Sequence, residues 1–128
     1  GEVLHNAIVW QCRRTTKMCE QLRKKWSVKI KAKTGLVLDP YFSGSKMRWL
    51  IENVPAVRKA QADGDLAFGN IDTFLMWKLS GRKIYATDVS NASRTMLMNL
   101  KTGQWDAELL KLFKVNLENL PEIKPSSG

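Results

Sequence analysis

Through the most basic part of the chain, Met18, Leu22, Trp26 and Ile30 recur every fourth residue. That recurrence lays one apolar stripe along a helix and leaves its other sides polar. The segment must therefore pack on one side only, with its charged sides in water. Thr15 or Thr16 is placed to cap its start, Glu20 lies near its first turn, and Gly35 is a natural stop. Val28 and Ile30 are β-branched, so a fray or break is expected near Ser27.

The charge of the chain belongs to this segment. Between Arg13 and Lys33 there are nine basic residues and one acid, which carries +8 of the net +9. A uniformly basic chain would suggest a nucleic-acid partner. One basic helix face in an otherwise balanced chain is read instead as a solvated surface. The remaining alternative is a basic binding or assembly module, whose binding would fall steeply with salt.

Along the rest of the chain the patterns are short. Ala7–Trp10 is an apolar run expected to form a buried strand. Pro40 pushes Asp39 out of the helical region, so Leu36–Phe42 is extended or turn-like. Met47, Leu50, Ile51 and Val54 lie on one helical face, with Ser43 or Ser45 as cap. Pro55 opens a further turn that ends at Gly64. Leu66–Ile71 reads as a strand, followed by a helix capped by Asp72 and ended by Gly81. Lys83–Asp88 reads as another short strand. A turn at Lys101–Gly103 follows the apolar run after Arg94, and Asp106 caps a helix bearing Leu109, Leu110, Leu112 and Phe113. The residues from Asn116 onward read as a tail. The class is helix-rich α/β, with strands too few and too short for a complete sheet.

Several chemistries are excluded or weakened. There is no Walker loop and no dinucleotide fingerprint. One histidine and two cysteines make a zinc site untenable, and no metal ligand set is assigned. Cys12 and Cys19 on one helix would lie about 10 Å apart along its axis, too far for a disulfide. Reduced thiols fit a cytoplasmic protein. No apolar run approaches the ~20 residues of a membrane span. The N-terminal "GEVLHNAIVW" does not read as a secretory signal.

Three stretches are more specific. "YFSGSKMRWLIEN" (Tyr41–Asn53) resembles a signature of the FGGY carbohydrate kinases. That signature runs aromatic or small residue, Ser/Thr/Pro, Lys, apolar, any residue, Trp, apolar, polar pair. "NAIVWQCRRT" (Asn6–Thr15) and "TDVSNASRTML" (Thr87–Leu97) are similar to segments of the glycerol kinases within that family. So is "GNIDTFLMWKL" (Gly69–Leu79). The resemblance runs over Gly1–Gly128 as one unit. Cys12 stands where many members have Asp, Val89 where an aromatic is common, and Ser45 where Thr is frequent.

The resemblance implies an incomplete piece of an actin-like, ribonuclease H-like ATPase domain that lacks its first three strands. It implies a parent enzyme that phosphorylates a terminal hydroxyl of glycerol with ATP and magnesium. A kinase for another polyol or sugar is the alternative within the family. Neither ATP nor magnesium is expected to bind this chain. The phosphate loop and an Arg-Glu substrate grip would precede it, and the catalytic aspartate would follow it. No residue here is expected to be catalytic, and the isolated chain is expected to be inactive. Its partners would be glycerol, the rest of the kinase chain and a possible homo-oligomeric copy, with no nucleic acid. By resemblance Tyr41 hydrogen-bonds a glycerol hydroxyl and Trp10 lines the same pocket. A phenol can donate and accept while its ring walls the carbon chain. Lys46, Trp49 and Asn53 are read as shaping the helix. Asp88, Asn91 and Arg94 are read as supporting a loop.

Overall fold

The computed structural model describes residues 1–127. The basic segment forms helix α1 (Thr16–Thr34), which continues through Ser27 without a break. Ile30 and Cys19 are fully buried on its inner side, which outweighs the weak helix preference of the β-branched residues. Burying a side chain such as Ile30 contributes roughly 1.5–3 kcal/mol. Gly35 ends α1 with φ of 73°, and its N–H bonds the Lys31 carbonyl at 2.8 Å. Neither threonine caps the helix through its side chain: Thr16 Oγ1 bonds the Arg13 carbonyl, and Thr15 Oγ1 lies 2.9 Å from Ser45 Oγ.

Helix α2 (Ser43–Asn53) begins after an extended Phe42, with no side-chain cap from Ser43 or Ser45. Its hydroxyls are used elsewhere: Ser43 Oγ donates to Asn70 Oδ1 at 2.9 Å, and Ser45 faces Thr15. Extended Val54 precedes Pro55, which opens helix α3 (Pro55–Ala62). Helix α4 (Ile71–Leu79) starts after Asn70, so Asp72 is not its cap. Asp72 lies in the first turn and accepts a hydrogen bond from Thr87 Oγ1 at 2.6 Å.

The strands depart most from expectation. Ala7–Trp10 forms no strand and is largely exposed, because no strand among the described residues lies beside it. Leu66–Ile71 is not a strand either. Its backbone is held by one backbone bond, from the Phe68 N–H to the Asn119 carbonyl at 2.7 Å, and by side chains: Asn119 Nδ2 donates to the Leu66 carbonyl, and the Tyr85 hydroxyl shares its one proton between the carbonyls of Phe68 and Asn119. Only Ala86–Asp88 of the expected Lys83–Asp88 strand forms β1. Helix α5 (Val89–Ala92) follows it directly. Strands β2 (Met98–Asn99) and β3 (Gln104–Trp105) form an antiparallel hairpin with Met98 opposite Trp105. Helix α6 (Ala107–Leu112) follows, capped by Asp106. The expected tail carries a 3₁₀ turn at Leu117–Asn119 and strand β4 (Glu122–Lys124). β4 lies parallel to β1 in the register Thr87 to Ile123.

The core joins these pieces across the sequence. Ile30, Leu38, Met47, Ile51, Leu97 and Phe113 belong to one buried cluster, with Trp26 packed at its side. The basic helix is tied down at its end. Lys33 Nζ reaches buried Asp106 at 2.8 Å, Lys29 reaches Glu108 at 3.3 Å, and the Leu100 N–H bonds the Lys33 carbonyl. Part of its charge is therefore neutralised within the chain.

Candidate functional site

The "DPYFSG" loop is built to present Tyr41. Asp39 Oδ1 accepts from the Tyr41 N–H at 2.8 Å, which makes a local turn, and lies 3.4 Å from the Arg13 guanidinium. The other side of the same residue is held from α2, where Lys46 Nζ donates to the Tyr41 carbonyl at 2.9 Å. The Tyr41 backbone is thus gripped at both N–H and C=O, while the residue as a whole is 43% exposed. Lys46 is itself buried, at 8% exposure. Burial pulls its pKa below the ordinary lysine value, against the favourable charges of Cys12 and Asp39.

Trp10 comes to Tyr41 from the segment that precedes α1. Their ring centroids are 5.8 Å apart with planes inclined at 53°, and Trp10 is 60% exposed. Phe42 meets Tyr41 edge-on at 5.0 Å. Arg14 Nε lies 3.0 Å from Cys12 Sγ, and its guanidinium lies over the Trp49 ring, 4.6 Å from the centroid. The Arg14 backbone and then its side chain hold the Cys12 thiol below its ordinary pKa, with Lys46 adding to the effect. Cys12 precedes α1, and both cysteines are free thiols.

The third motif meets the first. Asp88 Oδ1 accepts from both the backbone N–H and the side-chain amide of Asn91, each at 2.8 Å. Those bonds hold its carboxyl below the usual range. The Gly44 N–H bonds the Thr95 carbonyl at 2.7 Å, which docks the loop on the start of α2. Arg94 lies over the Phe42 ring at 4.9 Å and near the Tyr41 ring at 5.9 Å. Trp49 faces His5 at 5.9 Å, and Asn53 Nδ2 donates back to the Trp49 carbonyl.

Trp10, Tyr41 and Arg94, from three separate segments, therefore share one exposed aromatic patch. Sequence reasoning missed three supports of it: Asp39 as the turn maker, Lys46 as the clamp on the Tyr41 carbonyl, and Gly44 as the joint to Thr95. A glycine set between serines where a helix begins was the signal available for the last. The patch is one open wall. A wall of this kind offers an indole face and a phenol, suited to the carbons and a single hydroxyl of a small polyol. No group of three His, Cys, Asp or Glu side chains among the described residues could hold a metal ion.

The fold and the motif positions define a piece of a carbohydrate kinase. The chain belongs to the FGGY family of carbohydrate kinases, whose N-terminal domain model matches residues 1–128. It is 59% identical over 129 residues to a glycerol kinase of Bdellovibrio bacteriovorus, covering 100% of this chain and 26% of that protein. A glycerol kinase of Thermococcus onnurineus is 54% identical over 127 residues, covering 99% of this chain and 25% of that protein. Among solved structures, Plasmodium falciparum glycerol kinase with ADP superposes with a TM-score of 0.90 at 41% identity, covering 94% of this chain and 24% of that one. A xylulose kinase from Lactobacillus acidophilus superposes at 0.79 with 29% identity, covering 96% of this chain and 24% of that one. The chain thus spans about a quarter of the length of these relatives, and its fold is a part of theirs. No helix among the described residues is long and apolar enough to cross a membrane.

Proposed function

We propose that this chain supplies one wall of the glycerol pocket of an ATP-dependent glycerol kinase. The observation that carries the reading is the meeting of Trp10 and Tyr41 at 5.8 Å, with Tyr41 gripped at both ends of its backbone. Such a wall orients a small polyol so that one terminal hydroxyl faces the phosphoryl donor, and positioning is much of what such a transfer requires. Glycerol is preferred to another polyol or sugar because, among solved structures, the identity is 41% to a glycerol kinase and 29% to a xylulose kinase. ATP, magnesium and the proton-accepting aspartate are assigned to parts of the enzyme outside this chain. A cytoplasmic enzyme is in keeping with the two free thiols. The apolar side of α4, with Ile71, Leu75 and Leu79 exposed, suits packing by the rest of the kinase polypeptide or a second copy.

Tyr41→Phe in the full-length enzyme tests the reading. The KM for glycerol should rise by about 2- to 12-fold, the worth of one hydrogen bond. An unchanged KM would return Tyr41 to a structural turn. The isolated chain should form no ADP in the presence of ATP and glycerol.

A further inference from the structure

We infer that Arg94 is a positioning residue for Tyr41, delivered to it by a glycine joint between two motifs far apart in the sequence. The inference rests on the reading of Tyr41 as a glycerol contact.

The joint comes first. The N–H of Gly44 bonds the Thr95 carbonyl at 2.7 Å. A Cβ at position 44 would lie 2.9 Å from that same oxygen and 3.2 Å from the Phe113 ring. Only a residue without a side chain lets the start of α2 come this close to the loop. The loop is in turn rigid: Asp88 caps α5, and Thr95 Oγ1 donates to the Ala92 carbonyl at 2.7 Å. Arg94 is therefore carried to the aromatic pair by a fixed backbone.

Its charge is left for those rings. None of the ion pairs among the described residues involves Arg94. The guanidinium lies 4.9 Å from the centroid of Phe42 and 5.9 Å from that of Tyr41. A cation over an aromatic face is held by the ring quadrupole, and a planar guanidinium can also stack. Trp10 meets the Tyr41 ring at 5.8 Å and Phe42 meets it at 5.0 Å, so Arg94 is the third group in contact with this ring assembly. The backbone of Tyr41 is fixed by Asp39 and Lys46, while Trp10, Phe42 and Arg94 restrict the rotation of its ring. Arg94 acts on substrate through that restriction.

The test is a double-mutant cycle in the full-length enzyme, with Arg94→Met and Tyr41→Leu made singly and together. Arg94→Met should raise the KM for glycerol about 2- to 5-fold, the scale of an exposed cation–π contact, and leave kcat within about twofold. Arg94→Lys, which keeps charge but not the plane, should recover part of the loss. In the Tyr41→Leu background, Arg94→Met should add nothing. An equal rise in both backgrounds would mean that Arg94 touches substrate or its phosphoryl group directly, and would overturn the inference. A wild-type KM for Arg94→Met beside a raised KM for Tyr41→Leu would overturn this inference alone. A wild-type KM for Tyr41→Leu would bring down the site reading itself, and this inference with it. Should Arg94→Met not fold, Arg94→Lys carries the same cycle, with a smaller rise expected when Tyr41 is intact and none in the Tyr41→Leu background.

Discussion

Asp106 and Asp39 both sit just ahead of a helix, and they organise different things. Asp106 is 8% exposed, caps α6 through the N–H groups of Glu108 and Leu109, and receives Lys33 and Asn99. Asp39 is 37% exposed at its side chain, makes one turn bond to Tyr41, and pairs with an Arg13 that is 63% exposed. The buried aspartate joins α1, the hairpin and α6, and little of its own side chain is open to water. The exposed one sets the direction of a single loop. The contrast teaches that the stability of this chain and the presentation of its aromatic patch are carried by separate polar groups.

The largest expected effect is on the buried side of that contrast. Asp106→Ala removes a cap and a charge-assisted bond to Lys33, and should lower unfolding free energy by about 2–4 kcal/mol in urea. Burial opposes the charge of Asp106, yet bonds from Lys33, Asn99 and the Leu109 N–H hold its carboxyl below the ordinary value. A depressed folded-state pKa contributes stability above the unfolded pKa of about 4 and loses it as pH falls through the folded value. The difference between wild type and Asp106→Ala should therefore shrink below about pH 4. A difference that grows on acidification would break the assignment.

Gly44→Ala should come next, at about 1–3 kcal/mol, because its methyl meets a backbone oxygen that cannot rotate away. It should also raise the KM for glycerol, since Thr95 and Arg94 would be pushed from α2. A loss of stability with unchanged KM would detach the joint from the patch. Lys46→Met is expected to change stability by less than about 1 kcal/mol, as losing a bond offsets relieving a buried charge. Its effect should appear in KM, through a freed Tyr41 carbonyl. The smallest effect belongs to Arg13→Ala, about 0–1 kcal/mol and weaker at high salt, because the pair with Asp39 is exposed. A loss as large as that of Asp106→Ala would erase the contrast.

Much of the helical layer was legible from spacing. The stripe from Met18 to Ile30, the stop at Gly35, Pro55 at a helix start and the Asp106 cap all act through neighbours within a turn. The strands were not. Ala7–Trp10 has the composition of a strand and no partner beside it among the described residues, while "EIK" at Glu122–Lys124 looked like tail and found β1. A strand is a property of two segments, so one apolar run cannot declare itself. Asp72 failed as a cap for a related reason: Thr87, distant in the chain, accounts for one of its oxygens, and the helix begins after Asn70.

The same division holds at the candidate site. The chain's own order of residues determined its family and its basic helix and marked Tyr41 and Trp10 as candidate pocket residues, because motifs and helical periods are local. Only the tertiary structure decided that Trp10, Tyr41 and Arg94 share one patch, that Lys46 clamps a carbonyl, and that Gly44 must lack a side chain. The patch and the Gly44 joint are contacts between segments far apart in the chain, set by packing over the common core, and no spacing along one segment encodes the distance to another; the Lys46 clamp spans only five residues, and its geometry depends on the turn that Asp39 makes.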